Sequence, residues 1–196
     1  MKTRMLVTAL LVALGSASAF AQTPAATVQR DVNQQTRIES GLKDGSLSTK
    51  EAGRLEKEQS QIDRLQAKQL KDGTLTPRER VQLNRAQNRA SQDIKTAKSN
   101  DVKGDPASKS SERMQADVQR NVNQEKRVEQ GINSGELTNR EAGHLQAGQA
   151  KVTQTEAKVA KNGHVGAREQ AAVQKKENAQ SGKIHKKKHN ALESKG

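Results

Sequence analysis

The sequence predicts an all-α protein: two tandem three-helix repeats, built as helical hairpins, joined by a flexible linker and preceded by an N-terminal signal peptide. Three observations predict it. Apolar residues recur at helical spacing, the whole pattern repeats after ninety residues, and glycine-centred breaks separate the helical stretches. With 29% charged residues and a mean hydropathy of −0.99, the chain sits near the composition of disordered proteins. The periodicity and the presence of only three prolines place it instead among marginally stable helical proteins.

The first element is the signal peptide, residues 1–21. Lys2 and Arg4 precede the apolar run MLVTALLVAL (5–14), which is too short to span a bilayer, and Ala19-Phe20-Ala21 supplies small residues around a cleavage point. Cleavage after Ala21 leaves Gln22 as the first residue and delivers the chain to the periplasm or beyond. No cysteine is present, so neither a disulfide framework nor a lipid-modified cysteine is expected. Phe20 is the one aromatic residue, and it leaves with the signal. Without aromatic area the rest can bury thin aliphatic seams only.

The repeats follow. Val28 aligns with Val118 and the register holds without a gap to Asn100 and Asn190, with 27 identities over 73 pairs. VQRDVNQQTRIESG matches VQRNVNQEKRVEQG, and EAGRL matches EAGHL. The expected order is repeat 1 over 22–99, a Gly/Pro/Ser-rich linker over 100–112, repeat 2 over 113–190 and a disordered tail over 191–196. In repeat 1, Val28, Val32, Ile38 and Leu42 mark a first helix. Ala52, Leu55, Ile62 and Leu65 mark a second, and Leu83, Ala90 and Ile94 a third. Gly45 and Gly73, repeated as Gly135 and Gly163, fit the left-handed position just past a helix end.

A motif follows each of those glycines: DGSLSTKE (44–51), DGTLTPRE (72–79), SGELTNRE (134–141) and NGHVGARE (162–169). The lettering resembles the second half of an EF-hand loop. Calcium takes about six to eight oxygen ligands, however, and the leading loop positions hold Ser40 and Leu42, Lys68 and Leu70, Gln130 and Ile132, or Lys158 and Ala160. A helix start accounts for the same letters. Ser48 stands three residues before Glu51, Thr76 before Glu79 and Thr138 before Glu141, the spacing of a capping box, and Pro77 suits a first helical position.

LTPRE, LTNRE and LSTKE also resemble the LTxxQ motif of periplasmic chaperones of the Spy/CpxP type, with glutamate in place of the glutamine. The resemblance implies an exported helical protein that binds unfolded clients without ATP under envelope stress. The duplicated unit overall resembles exported proteobacterial helical-repeat proteins.

Charge narrows the partners. The formal net charge is +13. It thickens toward the C-terminus, where Lys175, Lys176, Lys183, Lys186, Lys187 and Lys188 face Glu177 alone and where Ala86, Ala90 and Ala97 of the first copy become Lys176, Gln180 and Lys187. The third helix of repeat 2 is therefore expected to fray into a mobile cationic arm that docks on anionic lipid or lipopolysaccharide. Export and the missing aromatics argue against nucleic acid. His185 and His189, four apart, are the metal candidates, but no carboxylate sits at close helical spacing to complete a site. Gln59 and Gln149 interrupt the apolar seam of the second helix. Asn88 with Ser91, and Asn178 with Ser181, share a face of the third; both sets suit either interhelical hydrogen bonds or a polar groove. No nucleophile with a base, no phosphate loop and no cofactor motif is present. The sequence thus reads as a non-enzymatic periplasmic interaction or envelope-stress protein, chaperone-like, with envelope proteins, unfolded clients or anionic lipid as partners. Divalent-metal binding, through the loops or the histidines, is the alternative.

Overall fold

The structure, a computed structural model, describes residues 23–190; the expected signal peptide and tail lie outside the described residues. These form six α-helices and no strand: α1 (Pro24–Lys43), α2 (Thr49–Gln69), α3 (Pro77–Ser99), α4 (Lys109–Asn133), α5 (Asn139–Val159) and α6 (Ala167–Lys188), with a single 3-10 turn, Ala160–Asn162, after α5. No helix among the described residues is long and apolar enough to cross a membrane.

Local chemistry sets the helix ends. Gly45, Gly73, Gly135 and Gly163 have φ between 74° and 90°, where a β-carbon would clash with the following carbonyl. After the first and third of these turns the chain closes back: Leu47 N–H donates to Gly41 O at 2.8 Å, and Leu137 N–H to Gly131 O at 2.9 Å. Starts are capped. Ser48 Oγ accepts from Glu51 N–H while the Glu51 carboxylate accepts from Ser48 N–H at 3.0 Å; Thr76 with Glu79 and Thr138 with Glu141 do the same. Each such cap stabilises its helix by about 1 kcal/mol.

Packing runs mainly between the copies. α1 lies along α4 and α2 along α5, while α3 covers α1 and α2, and α6 covers α4 and α5. The α2/α5 pair is antiparallel. A β-carbon on Gly53, near the start of α2, would stand 2.6 Å from Ala160 Cβ, just past the end of α5. One on Gly143, near the start of α5, would stand 2.9 Å from Leu70 Cβ, just past the end of α2. Exchanging the copies thus reproduces the contact.

Two apolar clusters occupy the two ends of this arrangement. One joins Ile38, Leu42, Leu47, Leu55 and Ile94 to Met114, Val118 and Val165. The other joins Val28, Leu70 and Leu75 to Val128, Leu137, Leu145 and Ile184. Each mixes residues of both copies, whereas a smaller third cluster, Ile62, Leu83 and Ala90, lies within the first copy. The sequence leaves open whether the repeats pack on each other; here apolar area too thin to bury within one copy is buried between two. The linker itself is shorter and tied down. α4 begins at Lys109 behind its cap, Ser108, and Gly104 N–H donates to Gly45 O at 2.9 Å.

The expected loose C-terminal arm is corrected too. Helix α6 runs to Lys188 with Ile184 buried, and its last turn is pinned by Lys188 to Glu136 at 3.1 Å and Lys187 to Glu141 at 3.5 Å. Of the two lysines that replaced alanines, Lys187 has a carboxylate partner while Lys176 stands exposed, and the lost apolar area does not free the helix.

The close α2/α5 approach gives a first prediction. Nothing lies within 4 Å of a β-carbon on Gly182 in α6, so Gly182→Ala should stabilise by up to about 1 kcal/mol through helix propensity. Gly53→Ala should instead destabilise by about 1–3 kcal/mol, because α5 has no room to give. Urea unfolding followed by circular dichroism reads both; stabilisation by both would contradict the interface.

Candidate functional site: a buried carboxyl belt

Between the apolar ends the interior is polar. Nine acidic side chains are buried, whereas no lysine, arginine or histidine is buried among the described residues. Two of the nine, Glu39 and Glu141, are held at the rim by Lys43 and by the α5 cap. The other seven are Asp31, Glu56, Asp63, Asp117, Glu125, Glu156 and Glu177, each no more than 2% exposed.

Alignment of the copies shows what these positions require. Ninety residues away from each acid stands a neutral polar residue: Asn121 for Asp31, Gln146 for Glu56, Thr153 for Asp63, Thr27 for Asp117, Gln35 for Glu125, Gln66 for Glu156 and Gln87 for Glu177. The contacts keep their form while acid and amide trade places. In the first copy Gln35 Nε2 donates to Glu56 at 2.9 Å; in the second, Gln146 Nε2 donates to Glu125 at 2.8 Å. Likewise Gln66 Nε2 donates to Asp31 at 2.5 Å, and Asn121 Nδ2 donates to Glu156 at 2.7 Å. At the centre one position meets itself, where Thr153 Oγ1 donates to Asp63 Oδ2 at 3.1 Å. A site that accepts an acid or an amide interchangeably is a site for an uncharged group.

Hydrogen-bond capacity points the same way. Among the described residues thirteen buried side-chain atoms make no hydrogen bond, all of them oxygens of Gln, Glu or Asp, although one, Glu177 Oε2, is ion-paired. The belt has surplus acceptors, and a proton on a carboxyl turns an acceptor into a donor. Burial drives that proton on. It raises Asp31, Glu56 and Asp117 to about 7, and Glu125 and Glu177 to about 8. It also raises Asp63 and Glu156 well above the usual carboxylate range, reinforced by Glu125 and Asp31 for the first and by Glu56, Glu177 and Asp117 for the second. The opposing cations are Arg30 beside Asp31 and Arg120 beside Asp117 and Glu177, again the same position in each copy. Arg120 Nε lies 3.2 Å from Glu177 Oε2.

The remaining sequence candidates fall into structural roles or stay apart. Gln59 Nε2 donates to Gln34 at 3.1 Å and Gln149 Nε2 to Asn121 at 2.9 Å, so both belong to the belt. Asn88 and Ser91 are clamped by Arg30 and Arg37, Asn178 and Ser181 by Arg120 and Arg127, binding each third helix to the first. The EF-hand-like loops are turns: Asp44, Asp72 and Asn162 each accept from the backbone N–H two residues on, at 2.9 Å. His185 and His189 stack at 4.2 Å between ring centres. No group of three His, Cys, Asp or Glu that could hold a metal occurs among the described residues. Lys175, Lys176, Lys183 and Lys186 stand exposed along α6, outside the belt. Sequence reading missed the belt, although the acid-for-amide exchange at ninety residues was visible in it.

No protein-family model, curated protein or solved structure matches the chain.

The belt dictates a pH profile. Groups whose folded pKa is raised bind extra protons in the folded state, so their support is complete below about pH 4 and is lost as pH climbs to about 8. Glu51, Glu136, Glu141 and Asp44 are shifted down by hydrogen bonds and nearby cations, Arg54 in the case of Glu51, and their support is lost only in stronger acid. The melting temperature should therefore fall between about pH 5 and about pH 8.5. Glu125→Gln should raise stability at about pH 8.5 by up to a few kcal/mol and change little at about pH 5. A flat profile, or a loss at both pH values, would contradict the protonated belt.

Proposed function

We propose that the chain is a non-enzymatic exported protein of the bacterial envelope, two duplicated three-helix units closed on each other, that keeps its fold and its cationic surface as its surroundings acidify. The observation that carries this reading is the carboxyl belt, in which all seven acids occupy positions filled by neutral residues in the other copy. Such an interior gains stability in acid, where most folds lose it. The same protons act on the surface. The formal charge of +13 counts every acid as ionised, and protonation of the belt raises it by as many as seven.

The partners are anionic. Val81 and Val102 are the exposed large apolar side chains among the described residues, which leaves little surface for apolar segments of unfolded clients. Electrostatic contact with anionic lipid, lipopolysaccharide or acidic envelope proteins fits the surface better than the chaperone mode that the LTxxQ-like motifs imply. Divalent-ion binding has less support, since Asp44, Asp72 and Asn162 are engaged in their own turns.

Co-sedimentation of residues 22–196 with lipopolysaccharide-containing vesicles tests the proposal. Binding should be stronger at about pH 5 than at about pH 7.5 and should be reversed by salt, as screening cuts the reach of charge to about 8 Å. Failure to bind at either pH in low salt would reject it.

A further inference from the structure

At one end of the α2/α5 contact the two helices leave a groove of about 650 Å³. Lys50, Arg54 and Lys57 line it from α2, and Lys158 from α5 and Lys161 from the turn beyond face them; all five are exposed. Gly53 and Ala157 form part of its lining and give it depth, for longer side chains there would fill the space. The same glycine that lets α5 approach therefore hollows the surface above the contact.

Five cations repel one another unless something neutralises them. Five lysines elsewhere, Lys43, Lys98, Lys109, Lys187 and Lys188, each form an ion pair, while others stand singly on exposed helix faces. None of the five cations in the groove forms an ion pair among the described residues. The groove holds one acid, Glu51, and its oxygens are already engaged. One accepts from Ser48 N–H at 3.0 Å and Ser48 Oγ at 2.7 Å, the other from Asn100 Nδ2 at 2.7 Å. The charge is thus gathered around a concavity and left without a counterion in contact.

The duplicate position offers an internal comparison. There Lys50, Lys158 and Lys161 correspond to Arg140, Lys68 and Lys71, but Arg54 becomes His144 and Lys57 becomes Ala147. Gln154 of the groove in turn corresponds to Arg64, so the duplicate end carries four permanent charges against five here.

We infer that the groove between α2 and α5 at Lys50, Arg54, Lys57, Lys158 and Lys161 is a binding site for a small, multiply charged phosphate-bearing anion. Several flexible ammonium groups and one guanidinium can surround phosphate oxygens from two helices at once, as a flat cationic face cannot. The inference deepens the anion-binding reading above and rests on it, naming one site and one ligand chemistry.

Calorimetric titration of residues 22–196 with sodium tripolyphosphate at low salt tests it. The double variant Lys57→Gln/Lys158→Gln should bind at least about tenfold more weakly than the unmodified chain, whereas Lys175→Gln/Lys183→Gln, on exposed α6 positions, should change affinity less than about twofold. Circular dichroism confirms that each variant keeps its helices. Equal losses in the two doubles, or no loss in the first, would overturn the site, and salt-reversible vesicle binding of the unmodified chain would still stand. With the tripolyphosphate result in hand, vesicles containing phosphatidylglycerol separate the sources. Loss of vesicle binding by the groove double assigns a lipid headgroup, and its retention assigns a soluble phosphate compound.

Discussion

The interior holds seven carboxyl groups with no buried cation to neutralise them, and the rest of the fold is arranged around that constraint. A duplicated chain that closes on itself brings equivalent positions together at its centre, as Thr153 and Asp63 show. Had both copies kept an acid there, two carboxyls would face each other in a medium of low dielectric. One acid and one neutral residue at that pair removes the clash and preserves the hydrogen bond. Acids elsewhere accept from amides of their own copy, as Glu56 does from Gln35 and Glu156 from Asn121. The arrangement costs stability whenever the acids ionise, since each tenfold change in a carboxyl's proton affinity between the folded and unfolded chain corresponds to about 1.4 kcal/mol. It costs nothing while they hold their protons.

The apolar ends and the polar belt divide the work. Aliphatic clusters at each end, drawn from both copies, supply the hydrophobic drive that the described residues, which include no Phe, Tyr or Trp, cannot gather in one place. The belt supplies register, because a slipped helix would leave amides and carboxyls facing aliphatic side chains. Gly53 and Gly143 permit the close approach on which both depend. Since the acids sit inside and the bases outside, protonation of the interior makes the surface more cationic without moving a helix. Fold stability and surface charge then change together with pH.

Much of the helical plan was legible in the sequence. Helical spacing marked the helices, the four glycines marked their ends, and Ser48, Thr76 and Thr138 with their glutamates marked three of the starts. The union of the copies was not legible, because a seam of Val, Leu and Ile looks the same whether it meets its own repeat or the other. Nor was the pinning of α6. Lys187 and Lys188 read as repulsive neighbours along the chain, and only the fold brings Glu141 and Glu136 to them. The belt lay between these cases. Glu56 and Glu156 look like solvated acids on charged helices, and their burial follows from a contact between copies that sequence spacing does not encode. The exchange of acid for neutral polar residue at ninety residues carried only part of the information, because exposed acids such as Asp44 and Asp72 are exchanged too, for Ser134 and Asn162.

Proton uptake on folding tests the central claim most directly. The protein, unfolded in urea at about pH 6.5, would be diluted into unbuffered solvent of the same pH and the protons bound measured by back-titration. The unfolded carboxyls are ionised at that pH, whereas those of the folded belt hold their protons. The expected result is an uptake of several protons per chain, reduced when Glu125 and Glu156 are replaced by glutamine. Folding with no net uptake, or with release of protons, would contradict the protonated interior.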